Sequence, residues 1–124
     1  MKNNESAENY LETIYILSKR LPVVRSVDIA TELNFKKPSV SVAMKHLREK
    51  ELIVVSDAGF ITLTDEGKAQ AEAIYERHTT LTKMFMLLGV SEETASEDAC
   101  LIEHIISTES FEAIKRHLRE KAPH

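Results

Sequence analysis

Cys100, Glu103 and His104 have side chains that hold transition metals, and their spacing puts them on one side of a helix. At 100° per residue, positions i, i+3 and i+4 fall within an arc of about 100°. A thiolate, a carboxylate and an imidazole on one arc form a site for a first-row divalent ion. A thiolate binds metal only when deprotonated, so affinity should fall as pH drops. The same trio also reads as a buried cysteine beside a surface Glu-His pair. Two further places offer donors. His78 lies on the long helical stretch before the trio, and Glu12, with Asn9 three residues earlier, lies on one face of the first helix. Together these six side chains would draw three helices to one ion.

A second set of residues suits a different partner. Lys36, Lys37, Pro38, Ser39, Ser41 and Val42 open a helical stretch, and Lys45 follows one turn later on the exposed face. Lysines and free N–H groups at a helix N-terminus bind phosphates, while hydroxyls and apolar side chains touch base edges and thymine methyls.

These residues need elements to carry them. Glu5 to Ser18 has an apolar face at helical spacing (Tyr10, Leu11, Ile14, Tyr15, Leu17) and ends at Leu21-Pro22. Ser26 is the expected N-cap of a short helix, Val27 to Leu33. Asn34-Phe35-Lys36-Lys37 forms a tight turn, and Pro38 suits the first turn of a helix running to Lys50. The period then changes. Leu52 to Val55 and Phe60 to Thr64 are short and β-branched, with Ser56-Asp57-Ala58-Gly59 between them, as in a β-hairpin. The hairpin tip carries no cation, so little DNA contact is expected from it. Thr64 caps a long helix that reaches about Leu88, where Gly89 can take a left-handed stop. Ser91 caps another helix to about Ser107, and a last helix runs from about Ser110 to Lys121.

Helix, helix, turn, helix and a two-stranded wing is the order of a winged helix-turn-helix, whose second helix enters the DNA major groove by its N-terminal end. The expected fold is mainly α. A winged helix-turn-helix with a two-stranded β wing occupies 1–64, and an α-helical dimerisation and metal-binding segment occupies 65–124.

The 124-residue chain carries a formal net charge of −4, but the charge is unevenly spread. From Lys19 to Lys50 there are eight basic and three acidic residues, whereas Ser91 to Glu112 holds seven acidic residues and no Lys or Arg. The first stretch suits phosphates and the second cations, although ordinary solvated helix faces could also look this way. The single cysteine allows no internal disulfide. The start, MKNNESAENY, has no apolar signal core, and no run approaches the roughly 18 apolar residues of a membrane span. A cytoplasmic protein with no membrane partner is expected. Ile102, Ile105, Ile106, Phe111 and Ile114 exceed what a small core needs, so a homodimer surface is expected after Leu88.

Five stretches carry a resemblance. They are Asn9-Tyr10-Leu11-Glu12-Thr13-Ile14-Tyr15, Val27-Asp28-Ile29-Ala30, Pro38-Ser39-Val40-Ser41, Leu63-Thr64-Asp65-Glu66-Gly67 and Asp98-Ala99-Cys100-Leu101-Ile102-Glu103-His104. Over nearly its whole length the chain resembles the iron- and manganese-dependent regulators of the diphtheria toxin repressor and manganese transport regulator family. The resemblance implies a metal-dependent transcriptional regulator, a repressor, that binds a palindromic double-stranded DNA operator as a homodimer. His78, Glu103 and His104 match ligand positions shared across the family. Cys100 falls where iron-type members have a cysteine, and Glu12 where manganese-type members have a carboxylate. Asn9 stands where the family usually has Asp or Met. Thr82 and Ser96 replace a carboxylate and a histidine of the iron type's ancillary site. With His124 as the last residue, a short form without an SH3-like C-terminal domain is implied. Mn(II) or Fe(II) is the expected effector, with Zn(II) or Co(II) able to bind in vitro.

Two other classes compete. One is a winged-helix repressor that senses a small ligand or oxidant through Cys100. Its sequence neighbours Glu97, Asp98 and Glu103 are acidic, whereas a reactive thiolate needs a positive one. The other is an enzyme, but the sequence has no His-Glu-x-x-His, no Gly-x-Ser-x-Gly and no phosphate loop, so none is expected.

Overall fold

The computed structural model describes residues 5–121, so the first four residues of the polar start lie outside it. Six helices and two strands follow in order: α1 (Glu5–Arg20), α2 (Ser26–Leu33), α3 (Lys37–Glu49), β1 (Ile53–Val55), β2 (Ile61–Leu63), α4 (Asp65–Leu87), α5 (Glu92–Ile102) and α6 (Thr108–Lys121). The fold is the expected mainly helical one with a two-stranded wing. The described residues fall into two compact units, one reaching to Ala73 and the other beginning at Ile74.

In the first unit, Leu11, Ile14 and Leu17 of α1 pack with Ile29 of α2, with Val40, Met44 and Leu47 of α3, and with Ile53 and Ile61 of the hairpin. Burying each large aliphatic side chain contributes about 1.5–3 kcal/mol. Tyr10 joins this core with its ring edge-on to Phe35, at 6.0 Å between centroids. Burial pushes its phenol up from the ordinary tyrosine range.

Helix α2 starts one residue earlier than the sequence suggests. Arg25, not Ser26, is the extended N-cap. The reason lies at Asp28, whose carboxylate accepts the Arg25 N–H at 2.8 Å and fixes the chain entry there. The helix stops at Asn34, which is left-handed (φ 57°, ψ 43°), and the Phe35 N–H returns to the Ala30 carbonyl at 3.0 Å. That closure sets the tight turn into α3. The strands pair antiparallel with Ile53 opposite Leu63 and Val55 opposite Ile61. The Ile61 N–H also bonds the Val24 carbonyl at 2.8 Å, tying the wing to the segment before α2.

Thr64 caps α4 by accepting the Gly67 N–H at 3.1 Å. Gly67 is there for closeness, because a Cβ at that position would lie 2.0 Å from the Leu52 carbonyl oxygen. On the same helix Gly67, Ala71, Ile74 and Leu81 are buried, whereas Ala69 and Ala73 are exposed.

In the second unit, Leu81 of α4, Ala95 and Ala99 of α5 and Phe111 of α6 are buried. Phe111 is therefore core. Ile102, Ile106 and Ile114 are half-buried, and Ile105 is 67% exposed. Among the described residues no helix is long and apolar enough to cross a membrane.

Candidate metal centre and nucleic-acid face

His78 of α4 and Glu103 at the end of α5 are 25 positions apart in sequence, yet His78 Nδ1 lies 2.8 Å from Glu103 Oε1. His104 Nε2 lies 3.4 Å from the other carboxylate oxygen, Oε2. Glu103 is fully buried, and the imidazoles of His104 and His78 are 3% and 23% exposed. The Oε2 atom makes no hydrogen bond, because the approach of His104 has the distance of an ion pair without the direction of a hydrogen bond. A buried acceptor left so costs about 1–3 kcal/mol, more when charged. A cation beside it would remove that cost. Neighbouring donors about 2.1 Å from a shared ion stand roughly 3.0–3.4 Å apart, so the 3.4 Å between Glu103 and His104 has that spacing, while the 2.8 Å between Glu103 and His78 is that of a hydrogen bond. His78, Glu103 and His104 thus fit a divalent metal.

Local structure explains how the trio forms. Ser91 caps α5 by accepting the Thr94 N–H at 3.3 Å, and the fully buried Ala95 and Ala99 face the unit's interior. The helix was expected to reach about Ser107, but it ends at Ile102, with Glu103 as the C-cap and His104 in the turn that follows. Arg77 of α4 supplies the reason. Its Nη1 donates to the carbonyls of Glu103 (3.2 Å) and Ile106 (2.8 Å), which a continuing helix would have kept for itself. The guanidinium also lies over the Phe111 ring, 5.4 Å from its centroid, with Lys115 at 5.7 Å. The expected single helical arc therefore holds only in part. Cys100 is on the helix, Glu103 closes it and His104 lies beyond it.

Of the other expected ligands, Cys100 is exposed and in no disulfide. In the first unit, Glu12 of α1 is buried at 6% exposure and Asn9 is half-buried, with the Asn9 carbonyl accepting the Thr13 hydroxyl at 2.8 Å. Two residues that sequence reasoning did not assign to this centre stand against it. One is Arg77. The other is Ser96, whose Oγ lies 3.3 Å from His78 Nε2. A signal for Ser96 was present, since it precedes Glu103 by seven positions and so shares its helical stripe. An open cleft of about 600 Å³ is lined by His78 together with Thr82, Lys83, Met86, Glu92 and Ser96 among others.

The expected DNA face is on α3. Lys36, Lys37, Pro38, Ser39, Ser41, Val42 and Lys45 are all exposed, Val42 at 56%, while Val40, Met44 and Leu47 on the opposite face are buried. Lys36 is the N-cap and makes no side-chain cap, so the first turn's N–H groups keep the capacity to meet an anion.

A winged helix-turn-helix with an open recognition face, joined in sequence to a helical unit with a His-Glu-His cluster, defines a metal-responsive DNA-binding regulator. The comparisons agree: residues 3–59 match the N-terminal DNA-binding domain of the iron dependent repressors, and residues 64–124 match their metal binding and dimerisation domain. The chain belongs to the iron dependent repressor family. It is 36% identical over 115 residues to an HTH-type transcriptional regulator of Methanocaldococcus jannaschii, covering 90% of this chain and 91% of that one. It is 33% identical to the transcriptional regulator MntR of Escherichia coli, covering 90% of this chain and 72% of MntR. Its fold superposes on the manganese regulator SloR with a TM-score of 0.81 and 28% identity, covering 96% of this chain and 55% of SloR. The chain thus spans about half the length of that structural relative. None of these similarities supports oxidant sensing through Cys100.

Proposed function

We propose that this protein is a metal-dependent transcriptional repressor, activated by Mn(II) or Fe(II), that binds a palindromic operator in double-stranded DNA as a homodimer. Residues 1–64 read DNA, and residues 65–124 hold the metal and dimerise. The observation that carries the reading is the buried Glu103 Oε2, which faces His104 and has no hydrogen-bond partner, on a carboxylate already held by His78.

His78, Glu103 and His104 hold the ion. The resemblance supports Asn9, Glu12 and Cys100 as further ligands. When bound, the ion supplies positive charge to the buried carboxylate and fixes the residues around it. A repressor whose DNA-competent arrangement is favoured by metal shifts only as far as the metal's preference for that arrangement allows. On α3, Lys36, Lys37 and Lys45 hold phosphates, while Ser39, Ser41 and Val42 meet base edges from a first turn shaped by Pro38. A two-fold dimer would offer two such helices at a spacing matched to half-sites. The similarity to proteins named manganese regulators supports Mn(II), and the cysteine supports Fe(II). As a regulator the chain has no catalytic residue to assign, and its place of action is the cytoplasm.

The test is binding to a library of palindromic promoter fragments with no metal and with Mn(II), Fe(II) or Zn(II). Metal-dependent retention of one palindrome, lost in His78→Ala, is the expected result. Equal DNA binding with and without every metal would overturn the reading.

A further inference from the structure

His78 is gripped at both ring nitrogens. Nδ1 faces Glu103 Oε1 at 2.8 Å, and Nε2 faces the Ser96 hydroxyl at 3.3 Å. Ser96 is half-buried on α5, on the stripe that also carries the fully buried Ala99 and Glu103. One face of α5 therefore holds the imidazole from two sides. The nearby Thr82 hydroxyl is turned away from this task, since it donates to the His78 main-chain carbonyl at 2.7 Å.

A hydroxyl suits the Nε2 side for a chemical reason. A metal at Nδ1 needs that nitrogen's lone pair, so the neutral ring carries its proton on Nε2 and must donate from there. With no metal, the Nδ1–H can donate to the Glu103 carboxylate, and Nε2 must then accept. Serine can accept in the first case and donate in the second. A carboxylate could only accept, and an ammonium could only donate.

We propose that Ser96 is a positioning residue for the metal centre: its hydroxyl holds the His78 ring through Nε2 in either tautomer and so keeps Nδ1 aimed at the ion. This rests on the metal reading given above. Partners of this kind, bonded to the second nitrogen of a ligating histidine, typically change metal affinity by about 10–100-fold when removed.

The test compares wild type with Ser96→Ala, Ser96→Thr and His78→Ala, all checked for helix content and thermal melting. Mn(II) and Co(II) affinities are measured by titration, together with the visible absorption of the Co(II) form and the histidine ¹⁵N resonances of the Zn(II) form. Ser96→Ala should lose about tenfold in affinity, shift the Co(II) bands and move the His78 Nε2 resonance, while its fold is unchanged. Ser96→Thr should restore all three. Wild-type affinity and spectra in Ser96→Ala would overturn the positioning role while leaving the metal site standing, as would an affinity loss that Ser96→Thr does not restore. If wild type and His78→Ala bind metal alike, the metal reading fails and the role of Ser96 fails with it.

Discussion

Arg77 Nη1 donates to the Ile106 carbonyl at 2.8 Å, so a side chain of α4 closes the turn that follows α5. The same nitrogen reaches the Glu103 carbonyl at 3.2 Å. The turn bearing Glu103 and His104 is thereby fixed one residue away from His78. Hydrogen bonds made by a charged donor contribute about 1.5–3 kcal/mol. Arg77→Ala should therefore lower Tm by several degrees and weaken Mn(II) binding by about tenfold. Arg77→Lys, with a single point charge in place of a planar fork, should fall between the two. Calorimetric titration and thermal melting check both effects, and unchanged metal affinity in Arg77→Ala would refute the coupling.

Glu103 is the centre's most buried charged group, and its Oε2 lacks a hydrogen bond. Metal bound only to the folded state adds about 2.7 kcal/mol of stability at a hundredfold excess over Kd. Wild-type protein should melt at a clearly higher temperature in Mn(II) than in chelator. Glu103→Gln keeps the shape but removes the charge, so its melting curves with and without Mn(II) should coincide. Its metal-free form should be no less stable than wild type, because an under-bonded buried carboxylate is gone. A Mn(II)-induced rise in Tm as large as wild type's would show that Glu103 is not a ligand.

Much of this architecture was legible in the chain. The apolar spacing of Tyr10 to Leu17, the Pro38 start of the third helix and the β-branched pair of strands between turn residues marked the DNA-binding unit, because each signal is written in the element's own residues. The end of α5 was not legible. Its stop at Ile102 depends on Arg77, 25 residues upstream, taking carbonyls that local sequence assigns to a longer helix. The start of α2 was missed for a smaller reason: Ser26 is a better cap by type, but Asp28 reaches back to the Arg25 N–H. At the metal centre, the residue types of His78, Glu103 and His104 were readable, whereas the orphaned oxygen and the Ser96 contact exist only once α4 and α5 are packed.

Gly67 gives a prediction about the frame. Its missing Cβ leaves room for the Leu52 carbonyl oxygen, which itself accepts the Thr64 N–H at 3.0 Å. A methyl placed 2.0 Å from that oxygen must push main chain, which cannot swing away as a long side chain can. Although alanine is the better helix former, Gly67→Ala should destabilise by about 1–3 kcal/mol or more through overpacking. Urea unfolding measures it, and a stabilised variant would contradict the close approach.

Lys45 and Val42 should differ in kind at the DNA face. Lys45 is exposed about two turns beyond the start of α3, where a phosphate contact is sequence-blind. Lys45→Ala should weaken binding to operator and random DNA alike and reduce the salt slope by about 0.9. Val42→Ala should leave that slope unchanged and cost affinity only on the preferred sequence, as loss of an apolar base contact would. Fluorescence anisotropy across a salt series separates them. An unchanged slope in Lys45→Ala would remove that lysine from the phosphate contacts.

Cys100 and Glu12 pull the ligand set toward different ions. A thiolate favours the softer Zn(II) and Co(II), while a carboxylate favours Mn(II). Cys100 is exposed on α5 and Glu12 is buried on α1, so neither substitution deletes a large apolar core side chain. Cys100→Ala should therefore cost Zn(II) and Co(II) more affinity than Mn(II), and should abolish any thiolate-to-cobalt charge-transfer band. Glu12→Ala should reverse the order, with Mn(II) losing most, and should blunt the Mn(II) response of DNA binding. Parallel titrations with the three metals decide the matter. If Cys100→Ala keeps the wild-type order of affinities, the thiol is not a ligand; if Glu12→Ala keeps the full Mn(II) response, the first helix has no part in sensing.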